Sequence, residues 1–120
     1  MAGKTLVLGA SPNPRRYAYL AAEELLAKGH EIVLVGRRKG NIEGVEIETD
    51  FPVYNDIDTI TLYVGTSNQS ELYDYIFKIK PKRIIFNPGT ENSELRKLAT
   101  EKGIETEYAC TLVLLSLDSY

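Results

Sequence analysis

A regular alternation between short apolar runs and stretches of helical periodicity constrains the fold of this chain more than any other feature. Residues 5–8 form the first run, and its continuous pattern is typical of a strand buried on both faces of a sheet. A turn-forming segment follows at residues 9–14, and beyond it apolar residues recur three or four positions apart: Ala18, Ala21, Ala22, Leu25 and Leu26. Strands that alternate with helices in this way predict an α/β fold around a parallel sheet.

The alternation continues along the rest of the sequence. Further strands are predicted at residues 31–35, 59–64, 83–86 and 104–107. Two more helices are predicted, with buried faces formed first by Leu72, Tyr75, Ile76 and Ile79 and then by Leu95, Leu98 and Ala99. We expect the small polar residues 65–68 to cap the first of these two helices. A short edge strand is predicted at residues 45–47, and a further short element or a packed tail at residues 111–117.

The order of the strands follows from the handedness of their connections. Right-handed crossovers favour a Rossmann-like, doubly wound parallel sheet of about five main strands in the order 2-1-3-4-5, with helices on both faces. Ligands bind to such sheets beyond the carboxyl ends of the strands, where the strand order reverses. We therefore expect a site built from residues 9–17 and 65–68, flanked by residues 36–40 on one side and 87–91 on the other.

Length and charge narrow the classes of protein that remain. The 120 residues suit one domain over residues 1–120, and the net charge of −3 argues against nucleic acid or an anionic membrane as a partner. No apolar run approaches the roughly 18 residues of a membrane span, and residues 1–4 lead directly into the first strand, so we expect a cytoplasmic protein. A single cysteine, Cys110, excludes an intrachain disulfide, and with only one histidine the chain lacks the ligands for structural zinc.

The loop after the first strand has the features of a phosphate site. It leads directly into a helix, so backbone amides around residues 13–17 are expected to converge where the helix dipole is positive. Arg15 and Arg16 add positive charge there, and Ser11 and Asn13 add short polar side chains. The plainer alternative is a capped helix start with two solvated arginines. The loop lacks the later glycines of a G-x-G-x-x-G fingerprint, which weakens a standard NAD site.

A basic loop follows the second predicted strand. Arg37, Arg38 and Lys39 stand where dinucleotide-binding proteins contact the ribose. Three cations at this position favour a phosphorylated ribose over a free one, while the alternative is a solvated basic turn.

No combination of residues predicts a catalytic centre. His30 follows the first helix on the far side of the sheet from the expected site, and we interpret it as a surface or capping residue. Cys110 is interpreted as a buried structural thiol. The acidic residues Asp56, Asp58, Glu91 and Glu94 are interpreted as loop or first-turn residues. We therefore predict no catalytic residue and no metal ligand.

Residues 7–17 also carry a family resemblance. Their G-A-S-x-N-P start resembles the small stand-alone CoA-binding domain family, which is similar to the N-terminal nucleotide-binding domain of the succinyl-CoA synthetase α subunit. The likeness extends over nearly the whole chain, through residues 28–35, 42–44, 57–64, 87–92 and 103–110. One departure is that Val35-Gly36-Arg37-Arg38 replaces the usual Pro-Val-Asn-Pro after the second strand.

The resemblance implies a Rossmann-like domain that holds coenzyme A. Carried over to this chain, it implies that Ser11, Asn13 and Arg15 hold the pyrophosphate and that Arg37 and Arg38 meet the 3′-phosphate and adenosine. Val64, Gly65 and Thr66 would line the adenine or pantetheine side. The complete set of predicted binding residues is Gly9, Ala10, Ser11, Asn13, Pro14, Arg15, Arg16, Tyr17, Arg37, Arg38, Val64, Gly65 and Thr66.

Three functions are compatible with these features. The first is non-catalytic binding of coenzyme A or an acyl-CoA. The second is an NADP-binding enzyme or redox sensor, in which Arg37 and Arg38 contact the 2′-phosphate. The third is a protein-interaction domain with a vestigial nucleotide pocket, in which the apolar residues 112–117 form the seam of a homodimer.

Overall fold

The computed structural model describes residues 3–120; the first two residues of the predicted start, Met1 and Ala2, lie outside the described part. Strand β1, Lys4–Leu8, is buried on both faces, as its continuous apolar run predicts. Helix α1, Tyr17–Ala27, follows the loop and buries Ala18, Ala21, Ala22 and Leu25. Lys28 and Gly29 follow its last residue, and the φ of +83° at Gly29 lies in the region that glycine adopts without strain.

The next segment contains one strand more than the sequence predicts. Strand β2 is Ile32–Val35, and β3, Asn41–Ile42, pairs with β4, Val45–Glu48, in an antiparallel hairpin. Its turn consists of Glu43 and Gly44, which both have positive φ, 51° and 83°. Two-residue hairpin turns favour this backbone conformation because it matches the twist of the strands. A strand of two residues is too short to show periodicity, so β3 was not predicted.

The third main strand, β5, is Ile57–Leu62, two residues earlier than predicted. Two 3-10 turns follow, at Thr66–Asn68 and Ser70–Leu72, before helix α2, Tyr73–Ile79. The prediction that residues 65–68 cap this helix is wrong, because α2 begins after Leu72 and has no side-chain cap. The apolar spacing is still correct, since Leu72, Ile76 and Ile79 are buried together.

The last elements lie where the sequence places them, to within one residue at each strand boundary. Strand β6 is Arg83–Phe86, helix α3 is Ser93–Glu101, and strand β7 is Glu105–Tyr108. Asn92 caps α3, and its side-chain oxygen accepts a hydrogen bond of 3.1 Å from the amide of Leu95. The short element predicted at residues 111–117 is helix α4, Thr111–Ser116.

The sheet confirms the predicted doubly wound topology. Its order is β3-β4-β2-β1-β5-β6-β7, so the main strands follow the order predicted for them, and the hairpin strands extend one edge to give seven strands rather than about five. All pairs are parallel except β3 with β4. Helices α1 and α4 cover one face of the sheet, and α2 and α3 cover the other. None of the helices within residues 3–120 combines the length and the apolar character that crossing a bilayer requires.

Candidate functional site

A cavity of about 530 Å³ opens beyond the carboxyl ends of β1, β2, β5 and β6. It forms there because the chain leaves β1 toward α1 on one face of the sheet and leaves β5 toward α2 on the other, which opens a crevice between the two loops. Its lining consists of residues from five loops or loop-flanking positions: Leu8, Gly9, Ala10, Ser11, Arg16, Tyr17, Ala18, Gly36, Arg37, Arg38, Phe51, Tyr63, Val64, Gly65, Asn68, Leu72, Pro88, Gly89 and Thr90.

The floor of the cavity is formed by Gly9 and Ala10. Both backbone amides donate to the carbonyl oxygen of Val35, at 2.9 and 3.0 Å, so the loop after β1 is fixed to the end of β2. Gly9 has a φ of +97°, and a Cβ at this position would lie 2.9 Å from the backbone of Tyr63. Only glycine fits there, and its absent side chain brings the backbone to the cavity surface.

The loop between Ser11 and Arg16 is held by its own hydrogen bonds. The hydroxyl of Ser11 accepts from the amide of Asn13 at 3.1 Å, and the side-chain oxygen of Asn13 accepts from the amide of Arg15 at 3.0 Å. The amide of Arg16 donates to the carbonyl of Asn13. Three of the amides expected to face a phosphate are therefore already partnered. Along the described chain, the amides that begin α1, at Tyr17 and Ala18, have no protein acceptor.

The basic loop after β2 forms a second wall. Arg37 and Arg38 both line the cavity, and the amide of Gly36 beside them donates to the carbonyl of Glu48 at 3.1 Å. The guanidinium of Arg37 forms an ion pair with Glu71, which lies on the second 3-10 turn after β5. Within residues 3–120, Arg38 has no such carboxylate partner. The two arginines therefore differ in how available they are to a ligand.

Gln69 connects the loop after β5 to the loop after β6, and both of these loops line the cavity. It is fully buried, and its side-chain nitrogen donates to the carbonyls of Val64 and Thr90, both at 2.8 Å. Asn92 in turn donates to the side-chain oxygen of Gln69 at 2.9 Å. Sequence reasoning missed Gln69, because a single glutamine in a polar stretch gives no sign that it is buried.

The aromatic side chain of Phe51 lines the cavity, and the backbone of this residue is strained. Its φ of +53° is unusual for a bulky residue, and its ring contacts that of Tyr75 edge to face at 5.3 Å between centroids. The hydroxyl of Tyr75 donates to the carbonyl of Pro52 at 2.7 Å and so fixes the backbone next to Phe51. Burial raises the pKa of this tyrosine well above its usual range.

The cavity brings together most of the predicted binding residues. Those that line it are Gly9, Ala10, Ser11, Arg16, Tyr17, Arg37, Arg38, Val64 and Gly65. Those that do not are Asn13, Pro14, Arg15 and Thr66. The hydroxyl of Thr66 instead donates to the carbonyl of Glu91 at 2.7 Å, which ties the loop after β5 to the loop after β6. Phe51, Tyr63 and Leu72 also line the cavity, although none of them was predicted as a binding residue.

The ionisable side chains of the lining are arginines and tyrosines. Burial raises the pKa of Tyr63 to about 12, and its hydroxyl is buried without a hydrogen-bond partner in the described chain. Cys110 is half-buried at the start of α4 and outside the cavity lining, and His30 packs against the ring of Tyr120 at 5.0 Å. Among residues 3–120, no group of three or more His, Cys, Asp or Glu side chains is placed to hold a metal ion.

A second cavity, of about 930 Å³, lies at the opposite end of the sheet and shares no residue with the first. Two of its cations are engaged by protein groups. Arg83 donates to the hydroxyl of Thr59 at 3.1 Å and stacks on the ring of Tyr120, and Lys102 lies 5.1 Å from the ring centroid of Phe77. The lining of this second cavity contains none of the predicted binding residues.

Comparisons with known proteins agree with this fold. A family model described as CoA binding domain matches residues 3–116. A crystal structure described as that of an uncharacterized protein is 52% identical, with 100% of this chain and 99% of that chain covered and a TM-score of 0.97. A conserved hypothetical protein from Pyrococcus furiosus is 27% identical over 89% of this chain and 91% of its own, with a TM-score of 0.75.

A protein from Thermus thermophilus, 20% identical over 99% of this chain and 91% of its own, has a TM-score of 0.85 and shows the same fold. No curated protein matches the chain significantly.

Proposed function

The chain belongs to the CoA-binding domain family, and from this membership we propose that it binds coenzyme A or an acyl-CoA in the cavity beyond β1 without catalysing a reaction. The observation that carries the proposal is the cavity itself. It lies where doubly wound sheets bind nucleotides, and it places a helix N-terminus and two arginines of the basic loop around one space. Its volume of about 530 Å³ lies within the range of small-molecule sites.

Each part of the ligand has a matching part of the lining. We assign the pyrophosphate to the start of α1, where the amides of Tyr17 and Ala18 and the side chain of Arg16 are available. Ser11 borders the same space. In this assignment Asn13 and Pro14 shape the loop and Arg15 adds positive charge without direct contact, because none of the three lines the cavity.

The other end of the nucleotide is assigned to the basic loop. Arg37 and Arg38 carry the charge that a ribose 3′-phosphate requires, and the guanidinium group suits bidentate contact with phosphate oxygens. Val64 and Gly65 border the path along which the adenine or the pantetheine arm lies, and Leu72 and Pro88 add apolar surface to it. Thr66 supports this wall through its bond to Glu91.

The absence of catalysis is proposed from the chemistry of the lining. Its described residues include no His, Cys, Asp, Glu or Lys, so the cavity holds no pair of groups suited to acid–base or nucleophilic chemistry at neutral pH.

A calorimetric and thermal-shift comparison of CoA, acetyl-CoA, 3′-dephospho-CoA, NADP and NAD tests the proposal, because a ligand that binds only the native state raises its stability. We expect CoA and acetyl-CoA to bind more tightly than 3′-dephospho-CoA and either dinucleotide. Tighter binding of NADP would instead establish the alternative function, since its 2′-phosphate fits the same arginines. If none of the five ligands binds, the proposal is wrong. The exposed Val113 on α4 and Leu117 directly after it then become the surface to test for self-association.

Two variants locate the ligand within the cavity. Replacing both Arg37 and Arg38 with Glu is expected to weaken CoA far more than 3′-dephospho-CoA, because only CoA carries the phosphate assigned to them. The matched control replaces the exposed Lys78 and Lys97 with Glu, which changes the net charge equally outside the cavity. Equal losses for the two ligands would refute the assignment.

Ser11→Trp fills the cavity and is expected to abolish binding of all five ligands. Ser116→Trp at the exposed end of α4 is the control for added bulk. Unchanged binding by the Ser11 variant would place the ligand elsewhere.

A further inference from the structure

The ion pair between Arg37 and Glu71 joins two walls of the cavity. Nη2 of Arg37 donates to Oε1 of Glu71 across 34 positions of sequence. Arg37 belongs to the basic loop after β2, and Glu71 to the second 3-10 turn after β5. The next residue, Leu72, lines the cavity, so this contact lies at its margin.

The pair is placed where water and ligands reach it. The side chains of Arg37 and Glu71 are 66% and 62% exposed. Exposed ion pairs contribute little to stability, because water screens the attraction and ordering two long side chains costs entropy. A phosphate monoester carries more charge than one carboxylate. It can also make a bidentate contact with the guanidinium group, whereas Glu71 meets Arg37 through one oxygen and one nitrogen. The pair therefore holds Arg37 beside Glu71 only weakly, so that a phosphate can displace the carboxylate.

We propose that Glu71 competes with the phosphate of the ligand for Arg37 and thereby lowers the affinity of the cavity for phosphorylated nucleotides. The inference rests on the proposed function, since it requires a nucleotide phosphate at the basic loop. When such a ligand enters, the guanidinium of Arg37 exchanges the carboxylate for the phosphate, and Glu71 returns to water at little cost because it is already exposed. A ligand without a ribose phosphate leaves the pair intact.

The charge balance of the basic loop supports this role for Glu71. Arg38, which also lines the cavity, has no carboxylate partner within residues 3–120 and is available from the start. Arg38 can therefore contact the phosphate directly, whereas Arg37 must first release Glu71. Glu71 is therefore the residue that makes Arg37 less available to a phosphate than Arg38.

The test is calorimetric titration of the full chain with CoA and with 3′-dephospho-CoA, for the wild type, Glu71→Gln and Asp74→Asn. Asp74 is the matched control, because it is an exposed carboxylate three positions away that forms no ion pair in the described chain. We expect Glu71→Gln to raise the affinity for CoA about two- to fivefold, the size that an exposed ion pair allows. Its affinity for 3′-dephospho-CoA and both affinities of Asp74→Asn should remain close to wild type.

A second pair of variants identifies Arg37 as the group for which Glu71 competes. In an Arg37→Gln background, Glu71→Gln is expected to leave the affinity for CoA unchanged, because the competition has been removed. A gain that persists in this background, or one that Asp74→Asn reproduces, would show general repulsion and overturn the inference. If the wild type binds CoA and Glu71→Gln does not change its affinity, the inference alone is wrong. If neither the wild type nor any variant binds CoA, the proposed function is wrong and the inference falls with it.

Discussion

The Cα of Gly36 faces the carbonyl oxygen of Ala10 so closely that a Cβ on Gly36 would lie 2.2 Å from that oxygen. The loop after β2 therefore packs directly against the floor of the cavity, backbone to backbone. Because both groups belong to the main chain, no side-chain rotation relieves the contact. The position of Arg37 and Arg38 relative to the helix start depends on this close approach.

Gly36→Ala is expected to lower the free energy of unfolding by about 1–3 kcal/mol, because the added methyl group overlaps backbone that cannot move independently. Gly65→Ala is the matched control in the same cavity. Gly65 has an ordinary φ of −58° and no atom within 4 Å of the added Cβ. The free energy of unfolding of Gly65→Ala should stay the same or rise by up to about 1 kcal/mol. Urea denaturation of both variants decides the matter, and equal stabilities would contradict the predicted overlap.

Asn87 holds the carboxyl ends of two strands and the start of α4 together. Its side-chain nitrogen donates to the hydroxyl of Thr61 and the carbonyl of Leu62, at 2.8 and 2.9 Å, and its oxygen accepts from the amide of Thr111 at 2.9 Å. Asn87→Ala is expected to cost about 2–4 kcal/mol, because buried groups lose their partners. The exposed Asn68→Ala should change stability by less than about 0.5 kcal/mol. Thermal and urea unfolding measure both, and similar values for the two variants would refute the role of Asn87.

The sequence alone was sufficient to predict the central strand and the position of the cavity. The continuous run at residues 5–8 identified a strand buried on both faces, and the order of the main strands then predicted the edge of the sheet at which the cavity lies. Strand β6 was predicted with its exact bounds, since Pro81 and Pro88 bracket a short apolar run. These features depend on local pattern and chain connectivity, and both can be read from one sequence.

Contacts between distant segments without periodicity could not be predicted. Glu71 meets Arg37 across 34 positions, and Gln69 is buried only because Val64 and Thr90 approach it from two loops. The start of α2 was placed too early for a related reason. Successive 3-10 turns have nearly the same apolar spacing as an α-helix, so Leu72 fits the helical pattern without belonging to the helix.

Tyr75→Phe is expected to lower the free energy of unfolding by about 1 kcal/mol, because the carbonyl of Pro52 loses its hydrogen bond. The same change removes a restraint on the strained backbone of Phe51, so affinity for CoA should also fall. Tyr19→Phe on α1 is the control, since the Tyr19 hydroxyl has no hydrogen-bond partner within the described residues and does not border the cavity. Loss of stability with unchanged CoA affinity would show that Phe51 keeps its position without Tyr75.

The hydroxyl of Tyr63 is buried without a partner, while the nearby hydroxyls of Thr61 and Thr111 hydrogen-bond to each other at 2.7 Å. Removing an unsatisfied buried hydroxyl relieves its desolvation cost. Tyr63→Phe is therefore expected to raise the free energy of unfolding at pH 7 by about 1 kcal/mol. Urea denaturation at neutral pH measures the change, and a loss of more than about 1 kcal/mol would show that the hydroxyl is bonded in solution.

The stability advantage of Tyr63→Phe should grow at alkaline pH. Burial raises the pKa of Tyr63 in the folded chain from 10.0 to about 12, so the folded state keeps a proton that the unfolded state releases. The titration of Tyr63 therefore leaves the stability of the wild type unchanged below about pH 10 and lowers it as the pH rises from about 10 to 12, by about 1.4 kcal/mol per pH unit. The phenylalanine variant has no such loss. Unfolding measured at pH 9 and pH 11 should show its advantage over the wild type increasing by about 1 kcal/mol, and a constant difference would mean that the Tyr63 hydroxyl titrates equally in both states.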